Sequence, residues 1–118
     1  MSGRSSQRKG REGERELARF LQDHGYDAHP AAPLNYGTLP DVVGVNGLHL
    51  EIKRCEQLKI PAWLEQSERD AAKFGDGLPV VIFRRNREPW NITLRLTDFL
   101  KIYNIPQKSA ECERGEQQ

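Results

Sequence analysis

The sequence predicts an α/β fold with a mixed sheet flanked by helices, and three observations carry that prediction. Leu17, Phe20, Leu21 and His24 recur at helical spacing near the N-terminus. Residues 39–54, LPDVVGVNGLHLEIKR, have the form of a β-hairpin with Asn46-Gly47 at its turn. Val80-Val81-Ile82-Phe83 is a continuous apolar run of strand formers, the pattern of a central strand covered on both sides. In order, the chain reads helix, strand, strand, strand, helix, strand, strand, helix.

The totals narrow the class. A chain of 118 residues is one domain with one modest core. It is 36% hydrophobic and 30% charged with a net charge of +1, a balance that suits a soluble intracellular protein. No apolar run approaches membrane-spanning length, and the N-terminus lacks the apolar stretch of a signal peptide. Cys55 and Cys112 make no disulfide framework, so a reducing, cytoplasmic setting is expected. There is no internal repeat.

Residues 1–11, MSGRSSQRKGR, form a flexible basic arm carrying Arg4, Arg8, Lys9 and Arg11. It is either a solvated terminus or a phosphate-contacting arm that orders on DNA, and the two are compatible. The domain proper spans residues 12–105, with a polar tail over 106–118. Its first helix covers residues 12–24, and Gly25 ends it. Glu12 points away from the apolar stripe and Glu16 lies to its side, both complementing the helix dipole, whereas Glu14 borders the stripe and can reach the sheet. A first strand over residues 26–31 leads into an irregular loop, where Tyr36 either contacts DNA or caps the packing.

After the hairpin, Pro61 suits the first turn of a second helix that runs to Phe74 and is halted by Gly75-Asp76-Gly77. Leu64, Ala71 and Phe74 line its packing face with Trp63 alongside, and Gln66 lies off that face. Arg69 and Lys73, one turn apart, either flank DNA or solvate the helix. Arg84, Arg85 and Arg87 follow the central strand and pose the same choice. Trp90, Ile92, Leu94 and Leu96 alternate as the inward side of an edge strand. Thr97 caps a last helix in which Phe99, Leu100 and Tyr103 pack inward.

The hairpin is where chemistry concentrates. On its second strand Leu48, Leu50 and Ile52 share one face, and His49, Glu51 and Lys53 share the other. A two-residue turn would set Asp41 opposite Ile52 and bury a lone carboxylate among apolar groups. A three-residue loop with Gly47 left-handed pairs Gly44 with Leu48 and sets Asp41 opposite Glu51. Burying an unpaired carboxylate is costly, so the second register is predicted. Two facing carboxylates repel unless a cation sits between them, and oxygen donors suit a hard divalent ion, Mg²⁺ above all. Lys53 beside them is placed to hold an attacking water or to help deprotonate it.

Pro40-Asp41 followed by Glu51-Ile52-Lys53 is the pattern PD-(D/E)xK, and here the chain resembles the nuclease superfamily of restriction-endonuclease-like folds, with its αβββαβ core. Lys9-Gly10, Glu14-Arg15-Glu16-Leu17 and His24-Gly25-Tyr26 resemble the opening of archaeal-type and phage-type Holliday junction resolvases. The resemblance spans most of residues 9–103. It implies that Glu14 joins the metal site, that Arg15 touches phosphate where it would otherwise form a surface salt bridge, and that Thr38 stands for a small hydroxyl residue of the loop. Trp63 and Gln66 match a Trp-x-x-Gln spacing that places the amide near the active site, whereas composition alone makes Gln66 an exposed glutamine.

The resemblance therefore implies a Mg²⁺-dependent endonuclease, with Mn²⁺ as a substitute, that resolves four-way DNA junctions as a two-fold homodimer. Asp41, Glu51 and Glu14 would hold the metal, Lys53 would position the water, and in-line attack would leave a 5′-phosphate. DNA contacts would come from Arg8, Lys9, Arg11, Arg15, Tyr36, Thr38, Arg69 and Lys73. The alternatives are another nuclease of this fold acting on flaps, duplex ends or a specific sequence, and a catalytically silent DNA-binding module. His24, His29 and His49 lack the spacing of a zinc site, and His49 reads as a surface histidine flanking Glu51.

Overall fold

The computed structural model describes the backbone of residues 2–31 and 41–108, and within those stretches the side chains from Gly10 onward. Helix α1 (Ser2–Asp23) is followed by strands β1 (His29–Pro30), β2 (Val42–Val43) and β3 (Gly47–Arg54). Helix α2 (Ile60–Phe74), strands β4 (Gly77–Arg84) and β5 (Asn91–Thr93) and helix α3 (Leu96–Ile102) complete the order that the sequence predicts. The sheet runs β1-β2-β3-β4-β5. Strands β3 and β4 pair in parallel from Gly47↔Gly77 to Arg54↔Arg84, and the other neighbours are antiparallel. Parallel strands need a crossover, and α2 supplies it. Pro61 sits in its first turn, and Gly75 ends it in the left-handed conformation, donating its N–H to the Ala71 carbonyl.

A parallel pair joined by a helical crossover is buried on both faces, and β4 shows the consequence. Val80 and Ile82 pack with Leu17 and Ala18 of α1 and with Ala28, Val42 and Leu50. Val81, between them, points to the opposite face and packs with Trp63 and Leu64 of α2. The Trp63 ring lies 5.6 Å from that of Phe83. Full burial of each such aliphatic side chain contributes about 1.5–3 kcal/mol. Ser67 faces the sheet as well and donates from Oγ to the Val80 carbonyl at 3.3 Å.

The hairpin register is the predicted one. Val42 pairs with Leu50, which carries Gly44 opposite Leu48 and Asp41 opposite Glu51. The Leu48 N–H reaches back to the Val45 carbonyl at 3.2 Å, closing the loop over Asn46 and Gly47. Gly47 has φ of 90°, a conformation that a side chain would strain.

Several boundaries differ from the expectation. Helix α1 starts at Ser2 and takes in the backbone of the segment read as a basic arm. Strand β1 covers two residues where six were expected over 26–31, and β5 covers three. Helix α3 begins at Leu96 after Arg95, which makes no side-chain cap, so Thr97 lies inside the helix and does not cap it. Ile92, Leu96, Phe99, Leu100 and Tyr103, expected to point inward, are exposed. Periodicity identifies a face, but a face is buried only where another layer covers it, and α3 has no buried residue. Phe99 and Tyr103 stack on each other at 5.2 Å instead. Trp90 and Leu94 do pack against the core. Among the described residues no helix is long and apolar enough to cross a membrane.

Candidate active site

The polar face of β3 meets the crossover helix residue by residue. Lys53 donates from Nζ to Gln66 Oε1 at 2.9 Å. One turn on, Asp70 is near enough to Glu51 to raise its pKa. A further turn on, the Phe74 ring lies 6.5 Å from that of His49. Four residues along a helix advance ~6 Å and two along a strand ~6.6 Å, so the antiparallel sets 66, 70, 74 and 53, 51, 49 keep pace over this length. Phe74 is therefore not the core residue the sequence suggested: it remains 41% exposed and roofs His49 at the end of the helix.

Asp41 is locked from two directions. Its N–H donates to the Leu50 carbonyl at 3.0 Å, and its Oδ2 accepts the Ile52 N–H at 2.8 Å. Its carboxyl also lies close enough to that of Glu51 for each to shift the other's pKa. The register thus brings together Asp41, Glu51 and Lys53, with Gln66 holding the lysine.

His49 corrects the sequence reading. It has no solvent exposure and stands between two carboxylates, with Nδ1 2.8 Å from Asp76 Oδ1 and Nε2 3.1 Å from Glu51 Oε1. A neutral imidazole has one N–H to donate, so with both ring nitrogens facing carboxyl oxygens a further proton is shared along Asp76–His49–Glu51. Neither Asp76 nor Asp70 was singled out from the sequence. The signal for all three was the crossover itself, because a helix joining two parallel strands must lie over the second face of β3.

The electrostatics follow from this crowding. Burial raises the Glu51 pKa to about 7; the hydrogen bond from His49 opposes the rise and repulsion from Asp41 adds to it. Burial likewise raises Asp41, against the stabilising Ile52 N–H. Burial disfavours a charged His49, but its hydrogen bonds to Glu51 and Asp76 outweigh that and its pKa is raised. Glu14 is raised by burial and then by Asp41, while Arg11 and Arg15 pull it down. The two facing carboxyls resist ionising together, and their hard oxygen donors fit a divalent cation that would share them.

Glu14 reaches the neighbourhood of Asp41 because Gly13 lets α1 approach the sheet: a Cβ there would come within 2.7 Å of Arg54 Cγ. Electrostatic reach is as far as it gets. Among the described residues no three His, Cys, Asp or Glu side chains converge on one possible cation position. Because α1 starts at Ser2, Glu12 and Glu16 lie in its interior and do not complement its dipole as expected; the Glu16 carboxylate instead takes Arg84 Nε at 2.6 Å and Nη2 at 2.9 Å. With Arg85 paired to Glu88, two of the three arginines at the end of β4 and just beyond it serve ion pairs. Arg11 and Arg15 on α1, and Arg69 and Lys73 on α2, are exposed. The side chains of Arg8 and Lys9, and Tyr36 and Thr38 altogether, lie outside the described residues. His24 is exposed and its Nδ1 donates to the Phe20 carbonyl at 2.8 Å, the helix-end role expected of it.

A mixed sheet in this order, with an aspartate before the second strand and Glu-x-Lys on the third, is the arrangement of a PD-(D/E)xK nuclease. A sequence model of the archaeal Holliday junction resolvase (hjc) family matches residues 5–105, and the chain belongs to that family. Its activity is the hydrolysis of DNA phosphodiester bonds at branched junctions. Among solved structures, the 1.6 Å structure of Archaeoglobus fulgidus Hjc, a Holliday junction resolvase from an archaeal hyperthermophile, is similar. It has 27% sequence identity and a TM-score of 0.51, over 71% of this chain and 70% of that one. A search of curated proteins finds no match.

Proposed function

We propose that the chain cuts four-way DNA junctions with a divalent cation, Mg²⁺ with Mn²⁺ as a substitute, held by Asp41 and Glu51, with Glu14 completing or orienting the set. The observation that carries this reading is the register that places Asp41 opposite Glu51 with Lys53 on the same face. When bound, such a cation supplies Lewis acidity toward the scissile phosphate and lowers the pKa of a water. Asp41 and Glu51 contribute paired negative charge at a fixed separation. Lys53, its ammonium held by Gln66, positions the attacking water and steadies the charge that develops on the phosphate oxygens.

Exposed Arg11 and Arg15 lie near Glu14, and exposed Arg69 and Lys73 lie on the helix over the site, so both sets can take phosphates on either side of it. With a net charge of only +1, affinity for DNA rests on such local clusters, together with Arg8, Lys9, Tyr36 and Thr38. Two symmetric cuts call for a two-fold homodimer, and exposed Ile92, Leu96, Leu100 and Ile105 at the β5–α3 end offer an apolar surface for it. The setting is the cytoplasm, where the chain meets DNA.

The test is cleavage, with Mg²⁺, of a four-way junction beside a flap and a linear duplex of matched sequence, using Asp41→Asn and Lys53→Ala as controls. Paired symmetric nicks on the junction alone, lost in both variants, support the proposal. Equal cutting of all three substrates makes the chain a general nuclease. Tight junction binding without cleavage makes it a silent binding module.

A further inference from the structure

Among the described residues, His49 is the one hydrogen-bond donor aimed at the Glu51 side chain. The other polar neighbours of Glu51, Asp41 and Asp70, are carboxyls that repel it when ionised. A glutamate side chain has three rotatable bonds, and without a donor it would turn away from two like charges. The imidazole prevents this from a position that is itself fixed. Its second nitrogen is bound to Asp76, the Phe74 ring lies 6.5 Å from its own, and none of it reaches solvent. Asp76 is clamped in turn. It follows Gly75, which ends α2, and precedes Gly77, where any side chain would collide with the Gly47 backbone at the start of β3.

We propose that His49, braced by Asp76, is a positioning residue that holds the Glu51 carboxylate in one rotational setting opposite Asp41. This rests on the reading of Asp41 and Glu51 as cation ligands. Ligands oriented by hydrogen bonds from behind bind a metal without first paying to be ordered, and losing that support costs roughly 10–100-fold in affinity or activity. A buried histidine that served the fold alone would need a partner at each ring nitrogen, but neither partner would have to be a carboxylate of the site. Here the chain of contacts runs from the α2–β4 turn to Glu51.

The experiment is titration of the full chain with Mn²⁺ in the absence of DNA, followed by electron paramagnetic resonance of the free ion. It uses His49→Phe, which fills the space without a donor, His49→Gln, which keeps one, and Asp76→Asn, with Asp41→Ala as reference. The expected result is roughly 10-fold or greater weakening of Mn²⁺ binding in His49→Phe, a smaller loss in Asp76→Asn, and substantial recovery in His49→Gln. The Mn²⁺ concentration for half-maximal cleavage rises in the same order, while junction affinity without cation stays at the parent value. If His49→Phe does not fold, weakened Mn²⁺ binding in Asp76→Asn carries the test. Parent-like Mn²⁺ affinity in the folded His49 and Asp76 variants, beside lost binding in Asp41→Ala, overturns the positioning role and leaves the cation site standing. Unchanged binding in Asp41→Ala overturns the cation site and the inference together.

Discussion

The two faces of β3 use the same eight residues to opposite ends. Leu48, Leu50 and Ile52 lie under α1 and join the apolar cluster around Leu17 and Val80. His49, Glu51 and Lys53 lie under α2 and meet Asp70, Phe74 and Gln66. Burial does not distinguish them, since Glu51 at 5% exposure is nearly as covered as Leu50 at 1%. The difference is in the partners. An apolar face is satisfied by any close neighbour, whereas each polar group on the other face needs a specific one, and no buried side-chain nitrogen or oxygen among the described residues lacks it. A site of this kind is a second core in which hydrogen bonds replace shape as the requirement.

If that contrast holds, the faces should fail differently. Lys53→Ala should lower single-turnover cleavage of a junction by about 10²–10³-fold. Its stability in urea should stay within about 0.5 kcal/mol of the parent, because Lys53 is only partly buried. Leu50→Ala should do the reverse, costing about 2–5 kcal/mol in the same urea titration with cleavage per folded molecule unchanged.

A pH series sharpens the comparison further. Glu51 and His49 both have raised pKa values in the folded chain, so the folded state binds more protons than the unfolded state over the intervening range. The stability they contribute is complete below their ordinary values of 4.5 and 6.5 and is lost as pH rises through the folded ones. Cation-free protein should therefore melt at progressively lower temperature between about pH 5 and pH 8. Divalent cation should restore part of the loss at the upper end, and Glu51→Gln should flatten the slope. The smallest effect belongs to the ion pair beside the paired ends of β3 and β4, where Arg84 lies opposite Arg54. Glu16→Ala removes the carboxylate that holds Arg84, and because the pair is partly solvated the cost should be ~1 kcal/mol or less, with cleavage unaffected.

Much of this is legible in the sequence. The cost of burying a lone carboxylate selected the three-residue loop, and with it the pairing of Asp41 with Glu51. Pro61 and the Gly75-Asp76-Gly77 stop gave α2 nearly its full extent. What escaped was what lies over what. Alternation along β3 separates His49 from Leu50 but does not say that a helix roofs the histidine. Likewise the stripe of Phe99, Leu100 and Tyr103 is as regular as that of Leu17 and Leu21, yet only the latter has a sheet beneath it. Cover is a property of tertiary arrangement, and one strand's pattern cannot contain it.

The pairing of α2 with β3 also sets where the chain can change length. One residue inserted between Gln66 and Asp70 would turn everything after it by about 100°, carrying Asp70 away from Glu51 and Phe74 away from His49. The connector over residues 55–59, outside both elements, makes no such demand and can lengthen or shorten at little cost. Relatives of this chain should therefore vary in length before Ile60 and hold the count fixed from there to the end of α2.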